Sequence, residues 1–146
     1  MTRAEKAVAN FAKGYNCTQA VVLAFADLLG EKEDLLLRTV SAFGGGFSRA
    51  REVCGAVSGM AYVVGRTQGY SDPKDPAEKQ RVYGVMQKLI QKFRAEHGTI
   101  VCKELLKGCK IVDGDRSGRP CPKMIETAAR LLSEVLFPDG EASAKD

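Results

Sequence analysis

The sequence predicts an all-α protein, a compact single-domain bundle of about seven helices, because apolar residues recur at helical spacing and no run alternates with period two. The stretch 20–26 is apolar on every side, which is typical of a helix surrounded by other helices. Gly55 and Gly59 stand four residues apart among small residues, although glycine destabilises a helix interior by ~0.5–1 kcal/mol relative to alanine. This pair indicates a helix that another helix approaches closely. We therefore expect the helices that begin near Cys17 and Cys54 to be central.

Capping residues and glycines divide the first part of the chain into four helices. A capping box at Thr2 and Glu5 opens the first helix, and Asn16 caps the second. The third helix ends at the triple glycine 44–46, which we expect to adopt left-handed and turn conformations. The fourth carries Cys54. The predicted helices span 2–13, 17–29, 33–43 and 50–67.

The second part of the chain has one clear loop, 69–76, which is dense in turn-forming residues. Asp75 caps the next helix, 76–97, and Gly98 ends it. Thr99 is expected to cap a short helix that runs to Leu106. A polar, turn-rich segment, 113–119, follows. The last helix is expected to have Cys121 as its N-cap and Pro122 as its first residue, to end before Pro138, and to leave a frayed tail at 139–146.

Composition bounds the class of protein. A chain of 146 residues, 45% hydrophobic and 27% charged, fits one globular domain over 1–146. Its net charge of +4 is too small to make nucleic acid the expected partner, and no run approaches the ~18 apolar residues that span a bilayer. We expect a cytoplasmic protein without membrane insertion. We also expect a homodimer, since a second copy would complete the apolar surface.

The five cysteines are odd in number and include no Cys-x-x-Cys pair, so a complete set of structural disulfides is not indicated. Four of them fall near predicted helix starts, where the helix dipole and free N–H groups lower the pKa of a thiol. Cys109 falls at a helix exit, where the dipole disfavours an anion. The candidate catalytic residues are Cys54, Cys17, Cys102 and Cys121.

Cys54 is expected to be the most reactive of these thiols. With a helix over 50–67, Arg51 lies one turn before Cys54 on the same face, where its guanidinium could stabilise the thiolate. The flexible segment 44–46 would let a partner reach the sulfur. Arg51, Gly55 and Gly59 are therefore supporting residues. In the opposing interpretation Cys54 is buried against a neighbouring helix and inert.

Three functions stay open from the residues alone. In the first, Cys54 cycles between dithiol and disulfide with Cys17, Cys102 or Cys121, by thiol–disulfide exchange or electron transfer with a redox partner protein or a small-molecule thiol or disulfide, as a thiol–disulfide oxidoreductase that implies no particular cofactor. In the second, the same four thiolates bind zinc or an iron–sulfur cluster as metal ligands. In the third, the protein is a structural or adaptor protein with inert thiols.

The cysteine pattern also resembles a known family. The segment Cys54-Gly55-Ala56-Val57-Ser58-Gly59 matches a CGAxxG motif, and Phe43 to Phe47, Asn16-Cys17, Cys102 to Leu106 and Cys121-Pro122-Lys123 follow the family's other blocks in order. The chain resembles the small bacterial proteins named C_GCAxxG_C_C, to which redox activity is attributed. The resemblance implies that Cys17, Cys54, Cys102 and Cys121 are the family's four cysteines and that Cys109 is an addition.

Overall fold

A computed structural model describes residues 1–112 and 114–141. These residues form seven α-helices, two 3-10 turns at Ala26–Leu28 and Ser41–Phe43, and one helical turn at Gly44–Phe47. The α-helices are α1 Arg3–Ala12, α2 Cys17–Leu23, α3 Glu33–Thr39, α4 Gly55–Gln68, α5 Pro76–His97, α6 Cys102–Leu105 and α7 Cys121–Leu136. Within the described residues the only extended pairings are two isolated bridges. The predicted all-α class is confirmed.

The expectation that the helices near Cys17 and Cys54 are central is also confirmed. Helix α2 packs against α1, α4 and α7, and α4 in turn packs against α5 and α7. Ala20, Val21 and Val22 of α2 are fully buried, as their all-round apolar sequence predicts. A Cβ added at Gly59 of α4 would lie 3.0 Å from Val21 Cβ and 3.3 Å from the carbonyl oxygen of Thr18. This close approach explains the small residue at this position of α4.

Helix α2 is shorter than predicted, because it ends at Leu23 rather than near Leu29. Arg3 Nη1 donates to the carbonyl oxygen of Ala24 at 2.8 Å, and the N–H of Leu28 donates to Phe25 instead of continuing the α-helical pattern. The chain therefore tightens into the 3-10 turn. The helix begins at Cys17 as predicted, but its predicted length is wrong.

The third and fourth helices are also shorter than predicted. Helix α3 ends at Thr39, and the chain then passes through a segment that we call the left-handed loop, residues 45–51. Gly45 and Gly46 have the expected positive φ values of 72° and 68°. Four non-glycine residues in the loop also have positive φ: Phe47, Ser48, Arg49 and Arg51. Because this conformation cannot continue a right-handed helix, α4 begins at Gly55 and Cys54 is its N-cap residue.

In the second half of the chain, the helix ends predicted from capping residues and glycines lie closer to the observed ends than in the first half. Asp75 caps α5 through the N–H of Glu78, and Gly98 ends it in the left-handed conformation. Helix α6 begins at Cys102, and α7 begins at Cys121 rather than at Pro122. In the described residues no helix is long and apolar enough to cross a membrane.

The two ends of the described chain meet. Glu141 accepts a hydrogen bond from Arg3 Nε at 2.8 Å, and Asp27 binds the same guanidinium. Part of the segment that we expected to be frayed is thus bound to α1. Residues 142–146 of that tail, and Asp113 of the turn-rich segment, lie outside the described residues.

Candidate functional site

Four of the five cysteines line one cavity of about 500 Å³. They come from segments far apart in the sequence, at the starts of α2, α4, α6 and α7. Cys109 is not among the described residues that line the cavity. The cavity wall includes Cys17, Cys54, Cys102 and Cys121.

A short antiparallel bridge holds Cys54 and Cys102 as diagonal neighbours on one face. Val53 pairs with Val101, the N–H of Cys54 donates to the Ile100 carbonyl at 2.7 Å, and the N–H of Cys102 donates to Glu52 at 2.6 Å. Because side chains alternate along extended backbone, Cys54 and Cys102 both project from the face opposite to that of the paired valines. Two residues distant in sequence thus face the same cavity.

Cys17 reaches the site because residue 55 has no side chain. A Cβ at Gly55 would overlap Cys17 Sγ, so this sulfur lies directly against the backbone next to Cys54. The capping box of Asn16 fixes Cys17 as the first residue of α2. The buried hydroxyl of Thr18 donates to the carbonyl of Gly55 at 2.8 Å and joins α2 to the start of α4. Local capping and a missing side chain together position this thiol.

Arg51 lies beside Cys102 and not beside Cys54 as predicted. Its Nη1 donates to Cys102 Sγ at 3.8 Å, and its carbonyl accepts the N–H of Lys103 at 3.0 Å. The prediction required a helix that includes both Arg51 and Cys54, whereas the left-handed loop carries Arg51 toward the start of α6. The guanidinium therefore stabilises a thiolate at a different cysteine from the expected one.

Burial is the main cause of the pKa shifts of Cys54, Cys102 and Cys121. Cys54 is 7% exposed, and burial, with a smaller contribution from nearby Cys17, raises its pKa to about 12. Burial likewise raises the pKa of Cys121 to about 11. The pKa of Cys102 is raised by burial too, but the hydrogen bond from Arg51 and its charge oppose that rise. The expected low pKa of Cys54 is not observed, because loss of hydration outweighs the helix N-terminus.

Among the described residues four arginines also line the cavity, and only Arg51 was predicted as a site residue; Arg49, Arg116 and Arg119 were not. Arg116 donates to the carbonyls of Phe11 and Tyr15, and its guanidinium lies 3.7 Å from the centre of the Phe11 ring. Arg116 and Arg119 stand in a turn-rich segment without helical periodicity. Only the tertiary contacts place them at the cysteines.

The described part of the chain contains no group of three or more His, Cys, Asp or Glu side chains positioned to hold a metal ion. His97, the single histidine, contacts Thr127 Oγ1 at 2.8 Å and packs on the Phe93 ring, away from the cysteines.

Comparison with known proteins agrees with this geometry. No curated protein and no solved structure matches the chain. A family model with the description "Putative redox-active protein (C_GCAxxG_C_C)" matches residues 15–135, a range that includes the four cavity cysteines. The chain therefore belongs to the C_GCAxxG_C_C family.

Proposed function

We propose that this protein carries out thiol–disulfide exchange, with the four cavity cysteines as its reactive residues. The observation that carries the proposal is that Cys17, Cys54, Cys102 and Cys121 converge on one cavity from four separate segments. Such convergence is unexpected for cysteines that serve only as small buried apolar residues. We place this activity in the cytoplasm, where thiols are kept reduced and a disulfide formed in the cavity would be a transient step of the cycle.

Cys102 is the proposed attacking thiol. Thiolates are the nucleophiles in disulfide exchange, and the guanidinium of Arg51 at 3.8 Å stabilises a thiolate at Cys102. The thiolate of Cys102 attacks one sulfur of a partner disulfide, forms a mixed disulfide and releases the first partner thiolate, which takes a proton from water.

Cys54 is the proposed resolving thiol. It shares a face of the 53–101 bridge with Cys102, and its buried thiol stays protonated until the second step. Its sulfur attacks Cys102, forms an intramolecular disulfide and releases the second partner thiol, to which its proton passes. One dithiol is oxidised and one disulfide is reduced. Cys17 and Cys121 complete the proposed site. Each is a further thiol that can attack the disulfide and take its place in the exchange, and the Cys17 sulfur lies beside Cys54.

Disulfide mapping tests the proposal. Reduced protein treated with a limiting amount of a small disulfide is expected to yield a Cys54–Cys102 bond, identified by mass spectrometry of a non-reducing digest. Cys109→Ser is the matched control, because Cys109 is not among the residues that line the cavity, and it should react at the native rate. If no cavity cysteine is oxidised, or if oxidation requires Cys109, the proposed function is wrong.

The role of Arg51 predicts a specific change in alkylation. Arg51→Met should slow the reaction of Cys102 with iodoacetamide at neutral pH by roughly fivefold, because the thiolate loses its nearest cation. Since that loss raises the pKa of Cys102, the difference in alkylation rate between the native protein and Arg51→Met should shrink as the pH rises. At high pH the thiol of Cys102 ionises in both proteins. Rates at each cysteine are measured by mass spectrometry across pH.

Arg49→Met is the control for this variant. It removes the same charge from the same loop, but Arg49 makes no described hydrogen bond to Cys102. If both variants slow the alkylation of Cys102 equally, the net positive charge of the loop, and not the hydrogen bond from Arg51, sets the reactivity of Cys102. Faster alkylation of Cys54 than of Cys102 in the native protein would contradict the assigned order of attack.

A further inference from the structure

We propose that the substrate of this cavity is a small disulfide that carries carboxylate groups, which the arginines of the cavity wall bind. The inference rests on the proposed thiol–disulfide exchange and specifies its substrate class.

The cavity wall is positively charged and contains no carboxylate among its described residues. Its arginines make none of the ion pairs found in the described part of the chain, whereas arginines elsewhere, such as Arg3 and Arg130, pair with acidic side chains. Asp115, close in sequence to two of the wall arginines, accepts hydrogen bonds from Ser117. The four arginines are Arg49, Arg51, Arg116 and Arg119.

Two of these arginines are arranged as an anion site would require. The guanidinium of Arg116 is held in place by two backbone carbonyls and the Phe11 ring. Arg119 Nη2 donates to Val112 at 3.1 Å, but Arg119 Nε is buried without a hydrogen-bond partner. A buried N–H group requires an acceptor, and a carboxylate binds the side of a guanidinium through Nε and Nη together. Arg119 therefore offers a ligand carboxylate a guanidinium at the cavity wall that makes none of the ion pairs of the described residues.

The size of the cavity favours a small molecule. Its volume of about 500 Å³ lies within the ~300–1,000 Å³ that is typical of small-ligand sites. Leu105, Leu106 and Met124 add apolar surface beside the arginines and the thiols. A short molecule with a central disulfide and terminal carboxylates would therefore match the cavity wall. Its disulfide would contact the thiols, its carbon chain the apolar side chains, and its carboxylates the arginines. Exchange with the protein dithiol converts it into two carboxylate-bearing thiols.

Three disulfides of similar length and different charge test this inference. They are 3,3′-dithiodipropionate with two negative charges, its uncharged diamide, and cystamine with two positive charges. Rates with the reduced protein are divided by the rates of the same disulfides with free dithiothreitol, which removes their intrinsic reactivity. The corrected rate of the dianion should exceed that of the diamide by about tenfold, cystamine should be slowest, and added salt should reduce the differences.

Arg119→Gln should remove most of the preference for the dianion over the diamide. Arg94→Gln removes the same charge from an exposed position of α5 outside the cavity wall, and it should keep the preference. Equal effects of the two substitutions would show that net charge, and not a site at Arg119, selects the substrate.

Suberate separates failure of this inference from failure of the proposed function. It has the chain length and the charges of dithiodipropionate but no disulfide, and calorimetry should show that it binds the native protein and competes with the dianion. If suberate binds but no disulfide reacts, the proposed carboxylate site is supported and the proposed exchange function is refuted. If all three disulfides react equally and suberate has no effect, exchange stands and the carboxylate specificity is refuted.

Discussion

Replacing Gly46 with alanine is expected to lower the free energy of unfolding by about 2–5 kcal/mol, because the added methyl group meets both backbone strain and steric overlap. Gly46 has a φ of 68°, which is unfavourable for alanine. The new Cβ would also lie 2.6 Å from Cys102 Cβ and 2.9 Å from both Arg51 Cα and the nitrogen of Glu52. Because two of these atoms are backbone, the bridge that holds Cys102 must shift. Denaturant unfolding of reduced protein measures the loss.

Gly45→Ala is the matched control for this effect. Gly45 has a similar φ of 72°, but its Cβ would meet only the side chains of Arg49 and Arg51, at 3.1 Å or more. It should therefore show the backbone strain of ~1–2 kcal/mol without the overlap. Equal losses in the two variants would mean that the left-handed conformation, and not the contact with Cys102, makes Gly46 necessary.

Gly55→Ala is expected to lower the free energy of unfolding by about 1–3 kcal/mol and to move the Cys17 sulfur out of the site. The added Cβ would overlap Cys17 Sγ and lie 2.8 Å from Thr18 Oγ1, whose hydrogen bond joins α2 to α4. The Cys17 side chain is expected to relieve the overlap by rotating to another position. Its alkylation rate relative to that of Cys121 should therefore change, which mass spectrometry detects independently of stability.

Gly65→Ala controls for the change from glycine to alanine within the same helix. A Cβ at Gly65 meets nothing within 4 Å, so the substitution should raise the free energy of unfolding by ~0.5–1 kcal/mol. A destabilised Gly65→Ala, or a Gly55→Ala variant as stable as the native protein, would contradict the packing described for α4.

Helix starts were predictable where a nearby residue supplies the cap. Thr2, Asn16 and Asp75 each accept a hydrogen bond from the N–H three residues later, and each was predicted from its sequence alone. The burial of α2 followed from its apolar composition in the same way. These features depend on a few consecutive residues, which the sequence displays directly.

The start of α4 was not predictable from local sequence. Positive φ is uncommon outside glycine, so nothing in the identities of Phe47, Ser48 or Arg49 indicates it. Val53 is extended because it pairs with Val101, and Arg51 reaches Cys102 across the same contact. The sequence thus predicted which cysteines belong together, but not which of them the arginine assists, because that depends on a pairing between distant segments.

The 53–101 bridge also determines when the cavity can exist during folding. Segments far apart in the chain must meet before Cys54 and Cys102 acquire their hydrogen bonds, and such distant closures are entropically costly and slow. Before these contacts form, Cys54 lacks the burial that raises its pKa in the folded protein. Protection of Cys54 from a thiol reagent therefore reports completion of the native topology rather than formation of the individual helices.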